Sequence, residues 1–315
     1  MTRHLLRDDD LTSAEQAEIL ALAAAMKEDP FGLVDGGVGK PLAGPHTVAM
    51  IFDKATLRTQ TSFSAGIAEL GGNPLLVDGA LAGIGRRESV ADVARVLGRQ
   101  VSAIVWRTFH QSDLEQMAEL SGVPVVNALT DDFHPCQLLA DLLTVAEHKG
   151  ELAGLTATFL GDGACNVGNS WLLAGALAGM HIRMSSPEGY LPAEEIFARA
   201  KEIAATTGGS VTAVADPVAA VAEADVVITD TWVSMGKEDE AAARRAVFAP
   251  YAITGELLSL AASDAVVLHC LPAYRGFEIT AEVIDGPQSV VWDEAENRRH
   301  VQKAVLAWLH ERRGW

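Results

Sequence analysis

Short β-branched or apolar runs alternate with helix-forming stretches along almost the whole chain, and the alternation runs twice. In the first run, residues 46–52, 74–78, 103–107 and 125–129 read as strands. Residues 62–70, closed by Gly71-Gly72, and residues 90–100 read as helices between them. A helix is expected over 135–149, with Pro135 in its first turn. In the second run, residues 157–160, 182–185, 211–214, 226–229, 266–268 and 290–292 read as strands. Strands this short and apolar are buried on both faces, and their alternation with helices predicts mostly parallel sheets. The expected fold is α/β: two doubly wound domains linked by interdomain helices. Their expected extents are residues 1–141 and 142–292, with a C-terminal helix in 293–315 packing back on the first. An N-terminal helix is expected over 14–27, capped by Ser13.

The length of 315 residues suits about two domains. The formal net charge of −18 argues against nucleic acid or an anionic membrane as partner, since either needs a basic face. No apolar run is long and uniform enough to span a bilayer. The N-terminus lacks the apolar core of a secretory signal. The expectation is a soluble cytoplasmic protein. In so acidic a chain, any phosphate site must be a local basic island. Arg58, Arg107, His134 and Arg298 are the candidates, with Arg86 and Arg87 nearby in sequence. The cysteines are Cys136, Cys165 and Cys270. An odd count without a Cys-x-x-Cys pair argues against a disulfide framework or a zinc site. No metal and no cofactor are expected.

Polar motifs stand where the expected strands end, which is where open α/β sheets bind ligands. Lys54-Ala-Thr56-Leu57-Arg58-Thr59 leaves a strand and opens a helix. Backbone N–H groups and the helix dipole favour an anion there, Arg58 adds charge and Thr59 a hydroxyl. The same pattern also reads as a plain helix cap. Arg107 ends a strand and reads either as an anion ligand or as a surface ion pair. His134-Pro-Cys-Gln137 opens a helix: the ring can donate to a carbonyl oxygen and Gln137 can bond an amide, or the segment is a capping loop. Gly161-Asp-Gly163-Ala-Cys165-Asn166 matches the dinucleotide fingerprint only in part, because Asn166 replaces its third glycine. Asn166 suits a carboxylate or amide better, and a nicotinamide-dependent oxidoreductase is disfavoured. Asp230-Thr-Trp-Val-Ser234-Met235-Gly236 places a carboxylate and a hydroxyl at a strand end, which suits an ammonium group. His269-Cys270-Leu271-Pro272 follows an apolar strand; its thiol could contact an amine or merely pack. Jointly the motifs specify cationic and hydroxyl groups from the first half and carboxylate and amide groups from the second.

Arg58-Thr59, His134-Pro-Cys-Gln137, the Asp230–Gly236 motif, His269-Cys-Leu-Pro272 and Asp293-Glu-Ala-Glu-Asn-Arg298 resemble, in order, the motifs of the ornithine carbamoyltransferases within the aspartate/ornithine carbamoyltransferase family. The resemblance covers nearly the whole chain. It implies a carbamoyl phosphate-binding first domain, an ornithine-binding second domain and a homotrimer. The implied reaction is transfer of the carbamoyl group to the δ-amine of L-ornithine, giving citrulline and phosphate, as in arginine biosynthesis. By resemblance, Thr56, Leu57, Arg58 and Thr59 hold phosphate, and Arg107, His134, Gln137 and Arg298 polarise the carbamoyl group. Cys270 and Leu271 also belong to that set, with Cys270 near the δ-amine. Asn166, Asp230, Ser234 and Met235 orient ornithine. The implied catalytic set is Arg107, His134, Asp230, Cys270 and Arg298. The chain departs from the family pattern at Leu57 and Gln60 in the phosphate loop, at Gly83 and at Cys165. Alterations at the loop's second and last positions are similar to those of inhibitor-resistant members, which implies a specialised isoform. A carbamoyltransferase for another ornithine-like amine, or a weakly active binding protein, remains an alternative.

Overall fold

The computed structural model describes residues 2–33, 37–44, 46–233 and 238–312. They form two units, Met1–Leu143 with Glu296–Trp315, and Thr144–Ala295. In the first unit β1 (Thr47–Phe52), β2 (Asn73–Asp78), β3 (Ala103–Arg107) and β4 (Val125–Leu129) form a sheet in the order β2-β1-β3-β4. In the second, β5 (Thr156–Leu160), β6 (His181–Ser185), β7 (Ser210–Ala213), β8 (Val226–Thr229) and β9 (Val266–His269) are ordered β7-β6-β5-β8-β9. Every pairing among these strands is parallel. The expected α/β fold with two parallel sheets is the one observed.

Burial explains which strands are uniformly apolar. Each residue of β3, β8 and β9 is buried, whereas the edge strands β2 and β7 are largely solvent-facing. In the first unit the helices Val90–Leu97 and Gln111–Ser121 lay Val90, Ala94, Leu114 and Met117 against Ala49, Ile51, Ile104 and Trp106 of the sheet. In the second, Leu160, Val227 and Val267 pack with Leu257, Val283, Ile284 and Val291. Each valine, leucine, isoleucine or methionine among them contributes about 1.5–3 kcal/mol on leaving water. No helix among the described residues is long and apolar enough to cross a membrane.

Three local expectations are corrected. Residues 290–292 are not a strand: Val290 N–H donates to Val267 O at 3.1 Å, and the chain then enters the helix Val291–Glu311. Val291 is in the core while Trp292 is 59% exposed, so the apolar triplet is the rim of a helix whose pattern lies further on. A run of three cannot fix a period. The first helix is Ser13–Glu28 and its cap is Thr12: its hydroxyl accepts from Glu15 N–H while Glu15 accepts from Thr12 N–H, a reciprocal box worth about 1 kcal/mol. The helix expected over 62–70 begins at Arg58, and the helix Gln111–Ser121 occupies a segment given no element from sequence.

The C-terminal helix carries polar residues on its buried face. Lys303 is 1% exposed, with Nζ 2.8 Å from Glu69 Oε2. Burial, with the charges of Arg299 and Lys303, pushes His300 down to about 4. The unfolded chain takes up a proton near pH 6.5 that the folded chain resists, so folding stability falls as pH drops from about 6.5 towards 4. In His300→Gln the melting temperature is expected to fall less steeply over that range. Parallel wild-type and variant slopes would refute the assignment.

Candidate active site

Strand order dictates where each unit opens a crevice. From β1 the first sheet grows to β2 on one side and to β3 on the other. From β5 the second grows to β6 and to β8. Loops leaving the carboxyl ends of two strands that diverge in this way splay apart, and ligands bind there. The motifs after β1, β3, β5 and β8 stand at these two places, and those after β4 and β9 stand one strand further along each sheet.

In the first unit Phe52 pairs with Arg107 across β1 and β3, so their following loops leave side by side. Asp53 N–H donates to Arg107 O at 2.9 Å, and Trp106 Nε1 donates to Asp53 Oδ2 at 2.7 Å. The helix Arg58–Glu69 starts from Leu57, whose side chain is exposed and caps nothing. Leu57 therefore offers backbone only. Thr56 and Arg58 are half-buried, and Thr59 is buried. Arg298 reaches this loop from the C-terminal helix: Nη2 donates to Thr59 Oγ1 at 3.0 Å and Nη1 to Gln137 Oε1 at 2.5 Å. Gln137 Nε2 in turn donates to Asp141 Oδ1 at 2.8 Å, which fixes its amide. Arg107, His134, Gln137 and Arg298 are all buried.

His134 is the electrostatic centre of this group. Burial, then the positive charges of Arg298, Arg107, Arg58 and Lys54, hold its imidazole well below the ordinary histidine range. It is neutral at physiological pH, able to donate one N–H without adding charge. The basic island expected from sequence is present, with Lys54 as a member not assigned a role there. Arg86 and Arg87 are exposed. Cys136 is plain packing: its thiol donates to Asn127 O at 3.5 Å, and burial pushes it up to about 12.

In the second unit the loop after β5 runs close beneath the helix Asn166–Leu177. A Cβ on Gly168 would stand 2.3 Å from Gly163 O. The close-approach glycine of this turn is thus Gly168 and not position 166, which leaves Asn166 free to be polar at the helix start. Cys165 caps that helix, its sulfur accepting from Gly168 N–H at 3.3 Å. Burial and the charges of Asp230 and Asp162 push its thiol well up. Asp162 is held by a buried ion pair with Arg244 at 2.7 Å.

Asp230 follows β8 and Cys270 follows β9, and the thiol donates to Asp230 Oδ1 at 3.2 Å. Thr231 N–H donates to the same oxygen at 2.7 Å. Burial raises the Asp230 carboxyl above the usual carboxylate range, against the opposing charge of His269 and these hydrogen bonds. His269 sets the turn. Its backbone N–H donates to buried Glu294 at 2.9 Å, Nδ1 accepts from Leu271 N–H at 2.9 Å, and Nε2 lies 3.2 Å from Glu278 Oε1. Leu271 has φ +59°, a left-handed backbone that costs a non-glycine residue about 1 kcal/mol and that the His269 ring bond holds in place. Asp230, His269 and Cys270 bring three metal-ligating atoms within 4.8 Å of one another. Both imidazole nitrogens are already committed, so the trio reads as a hydrogen-bonded turn. Ser234 and Met235 lie outside the described residues.

The structure thus gathers Thr59, Arg107, His134, Gln137 and Arg298 in one unit, and Asp230, Cys270 and Leu271 in the other, with Asn166 starting the helix that follows β5. Sequence reasoning missed Lys54, Glu278 and Glu294. Lys54 and Glu294 stood inside quoted motifs; Glu278, nine residues past His269, gave no signal.

Two family descriptions match: the carbamoyl-P binding domain of the aspartate/ornithine carbamoyltransferases over residues 3–147, and their Asp/Orn binding domain over residues 153–309. The ornithine carbamoyltransferase of Clavibacter michiganensis is 60% identical over 309 residues, 98% of this chain and 99% of that one. That of Renibacterium salmoninarum is 60% identical over 313 residues, covering 99% and 100%. Among solved structures, the ornithine carbamoyltransferase of Pyrococcus furiosus superposes with a TM-score of 0.92 at 44% identity, over 97% of this chain and 96% of that one. The Gloeobacter violaceus enzyme gives 0.86 at 44%, over 98% of each. The chain belongs to the aspartate/ornithine carbamoyltransferase family.

Proposed function

We propose that this chain is an ornithine carbamoyltransferase, moving the carbamoyl group of carbamoyl phosphate to the δ-amine of L-ornithine. The observation that carries the reading is the cluster of Arg58, Arg107, Arg298 and Lys54 around a buried neutral His134, in a chain of net charge −18. Such a cluster fits a small dianion whose carbonyl oxygen needs a hydrogen-bond donor. Thr56, Arg58, Thr59 and the backbone at Leu57 hold the phosphate at the helix start. Arg107, His134, Gln137 and Arg298 face the carbamoyl group and stabilise the oxyanion that forms. Asn166 and Asp230, with Ser234 and Met235, orient ornithine beside Cys270 and Leu271.

The neutral δ-amine attacks the carbamoyl carbon, and the carbonyl π electrons move to oxygen. The tetrahedral intermediate re-forms its carbonyl, the C–O bond to phosphate breaks, and phosphate leaves with the electron pair. The nitrogen's extra proton passes to the departing phosphate. No cofactor enters this balance, and much of the acceleration comes from holding two reactants in place.

The relatives support ornithine as acceptor and give no support to a specialised, inhibitor-resistant isoform. Cys165, which suggested another amine, acts as a helix cap. The reading includes a cytoplasmic homotrimer. Purified protein given ornithine and a wide range of carbamoyl phosphate is expected to form citrulline with saturation, at a mass in solution of three chains. No citrulline at any concentration would overturn the transferase reading.

A further inference from the structure

Gln111, the first residue of the helix that follows β3, has its side-chain amide held at both ends. Nε2 donates to Leu6 O at 3.2 Å, and Oε1 accepts from the Thr130 hydroxyl at 2.8 Å. The two ends lead to different parts of the first unit. Leu6 stands in an N-terminal segment laid along β4: Leu5 N–H donates to Val125 O at 3.0 Å and Asn127 N–H to Leu5 O at 2.8 Å, a parallel bridge at the sheet edge. Asn127 Nδ2 donates to Leu6 O as well, at 2.7 Å. Thr130 is buried and clamps the turn before His134: its N–H donates to Phe133 O at 3.0 Å, and its Oγ1 accepts from Phe133 N–H at 3.1 Å. His134 follows directly, and its carbonyl accepts from Gln137 N–H at 2.9 Å as the next helix starts.

We propose that Gln111 is a positioning residue for His134, acting through Thr130 to tie the turn that carries the imidazole to the N-terminal segment. The inference rests on the transferase reading and deepens it. A hydroxyl has one proton and two lone pairs. Gln111 Oε1 takes the Thr130 proton, which leaves a lone pair aimed at Phe133 N–H. An alternative acceptor for that proton, Phe133 O, lies 3.5 Å away and already takes Thr130 N–H. The Gln111 amide has one useful orientation: its nitrogen must face Leu6 O and its oxygen the hydroxyl. Arg7, next in the same N-terminal segment, sets its guanidinium 4.7 Å from the ring centroid of Phe133, a second link to the same turn. A neutral donor to the carbamoyl oxygen works only at hydrogen-bond distance from where the oxyanion forms, so His134 needs its turn held.

Gln111→Leu keeps most of the stem and removes both bonds. It is expected to lower kcat for citrulline formation by about ten- to a hundredfold, with the KM for ornithine little changed, because a misplaced donor is felt in the transition state. Thr130→Val breaks the relay at its middle and is expected to do the same. Thr130→Ser keeps the hydroxyl and is expected to recover most of the rate. The discriminating background is His134→Gln. There the imidazole to be positioned is gone, so adding Gln111→Leu is expected to cost no more than about twofold further. Thermal melts report whether each variant is folded; if Gln111→Leu is not, the Thr130 pair carries the same test in both backgrounds. An undiminished loss in the His134→Gln background would overturn positioning of the imidazole. So would a folded Gln111→Leu or Thr130→Val protein with the kcat of wild type. These outcomes differ from failure of the transferase reading, in which wild-type protein forms no citrulline in the same assay.

Discussion

Arg298→Met is expected to lower citrulline formation at saturating substrates by about a thousandfold, the upper range for removing one preorganised donor to a developing oxyanion. The reason lies in where the guanidinium is held. It comes from the C-terminal helix, is buried, and divides its donors between Thr59 Oγ1 and Gln137 Oε1. Thr59 belongs to the first turn of the helix Arg58–Glu69 after β1, and Gln137 to the helix Pro135–Lys149 that carries His134 at its approach. One planar fork therefore bridges the first turns of two helices, and in the proposed reaction it faces the carbamoyl group. A thousandfold loss is about 4 kcal/mol of transition-state stabilisation, more than one charge-assisted hydrogen bond supplies. Arg298→Lys is expected to recover little of it, because an ammonium on a flexible stem does not span both acceptors in one geometry. Initial rates with a parallel melt decide the matter. A folded Arg298→Met protein within about tenfold of wild type would show that the oxyanion is stabilised elsewhere, with Arg107, His134 and Gln137 the remaining proposed donors.

The fold was legible because its strands are buried on both faces, and burial leaves runs such as Val226-Val-Ile-Thr229 that little else explains. The places of the candidate sites were legible because ligands of open sheets gather at strand ends, although a single motif there also reads as a helix cap or an ion pair. What stayed hidden depends on partners distant in sequence. Lys54 meets Phe109 and Asp131 in space, and nothing in the first motif names either. Glu278 matters because it faces His269 in space. Gly168 takes over the close approach that a fixed-spacing fingerprint assigns to position 166, because the turn after β5 enters its helix later. The apolar run 290–292 misled for a related reason: a triplet lying between strand β9 and a helix satisfies both periods.

Asp230→Asn is expected to raise the KM for ornithine by about a hundredfold, within the range for unpairing a buried charge-assisted hydrogen bond. The substitution is close to isosteric. An asparagine oxygen can still accept from Thr231 N–H and from the Cys270 thiol, so the turn is kept and the negative charge is lost. The pH dependence follows with a definite sign. Burial raises the Asp230 carboxyl above its usual range, so the empty site holds a proton at pH values where an exposed aspartate is already ionised. In the proposed site the carboxylate meets an ammonium group of ornithine, so binding must expel that proton. As pH falls through the raised value, expulsion costs progressively more and ornithine binding weakens. Titration of ornithine's own amines also alters rate with pH, but it is common to wild type and variant and cancels in their ratio. The wild-type advantage over Asp230→Asn is therefore expected to shrink as pH falls and to reach a plateau once the carboxylate is fully formed. A ratio independent of pH across the raised range would mean that Asp230 serves the Cys270 turn alone, and the charge that meets ornithine would have to come from another residue.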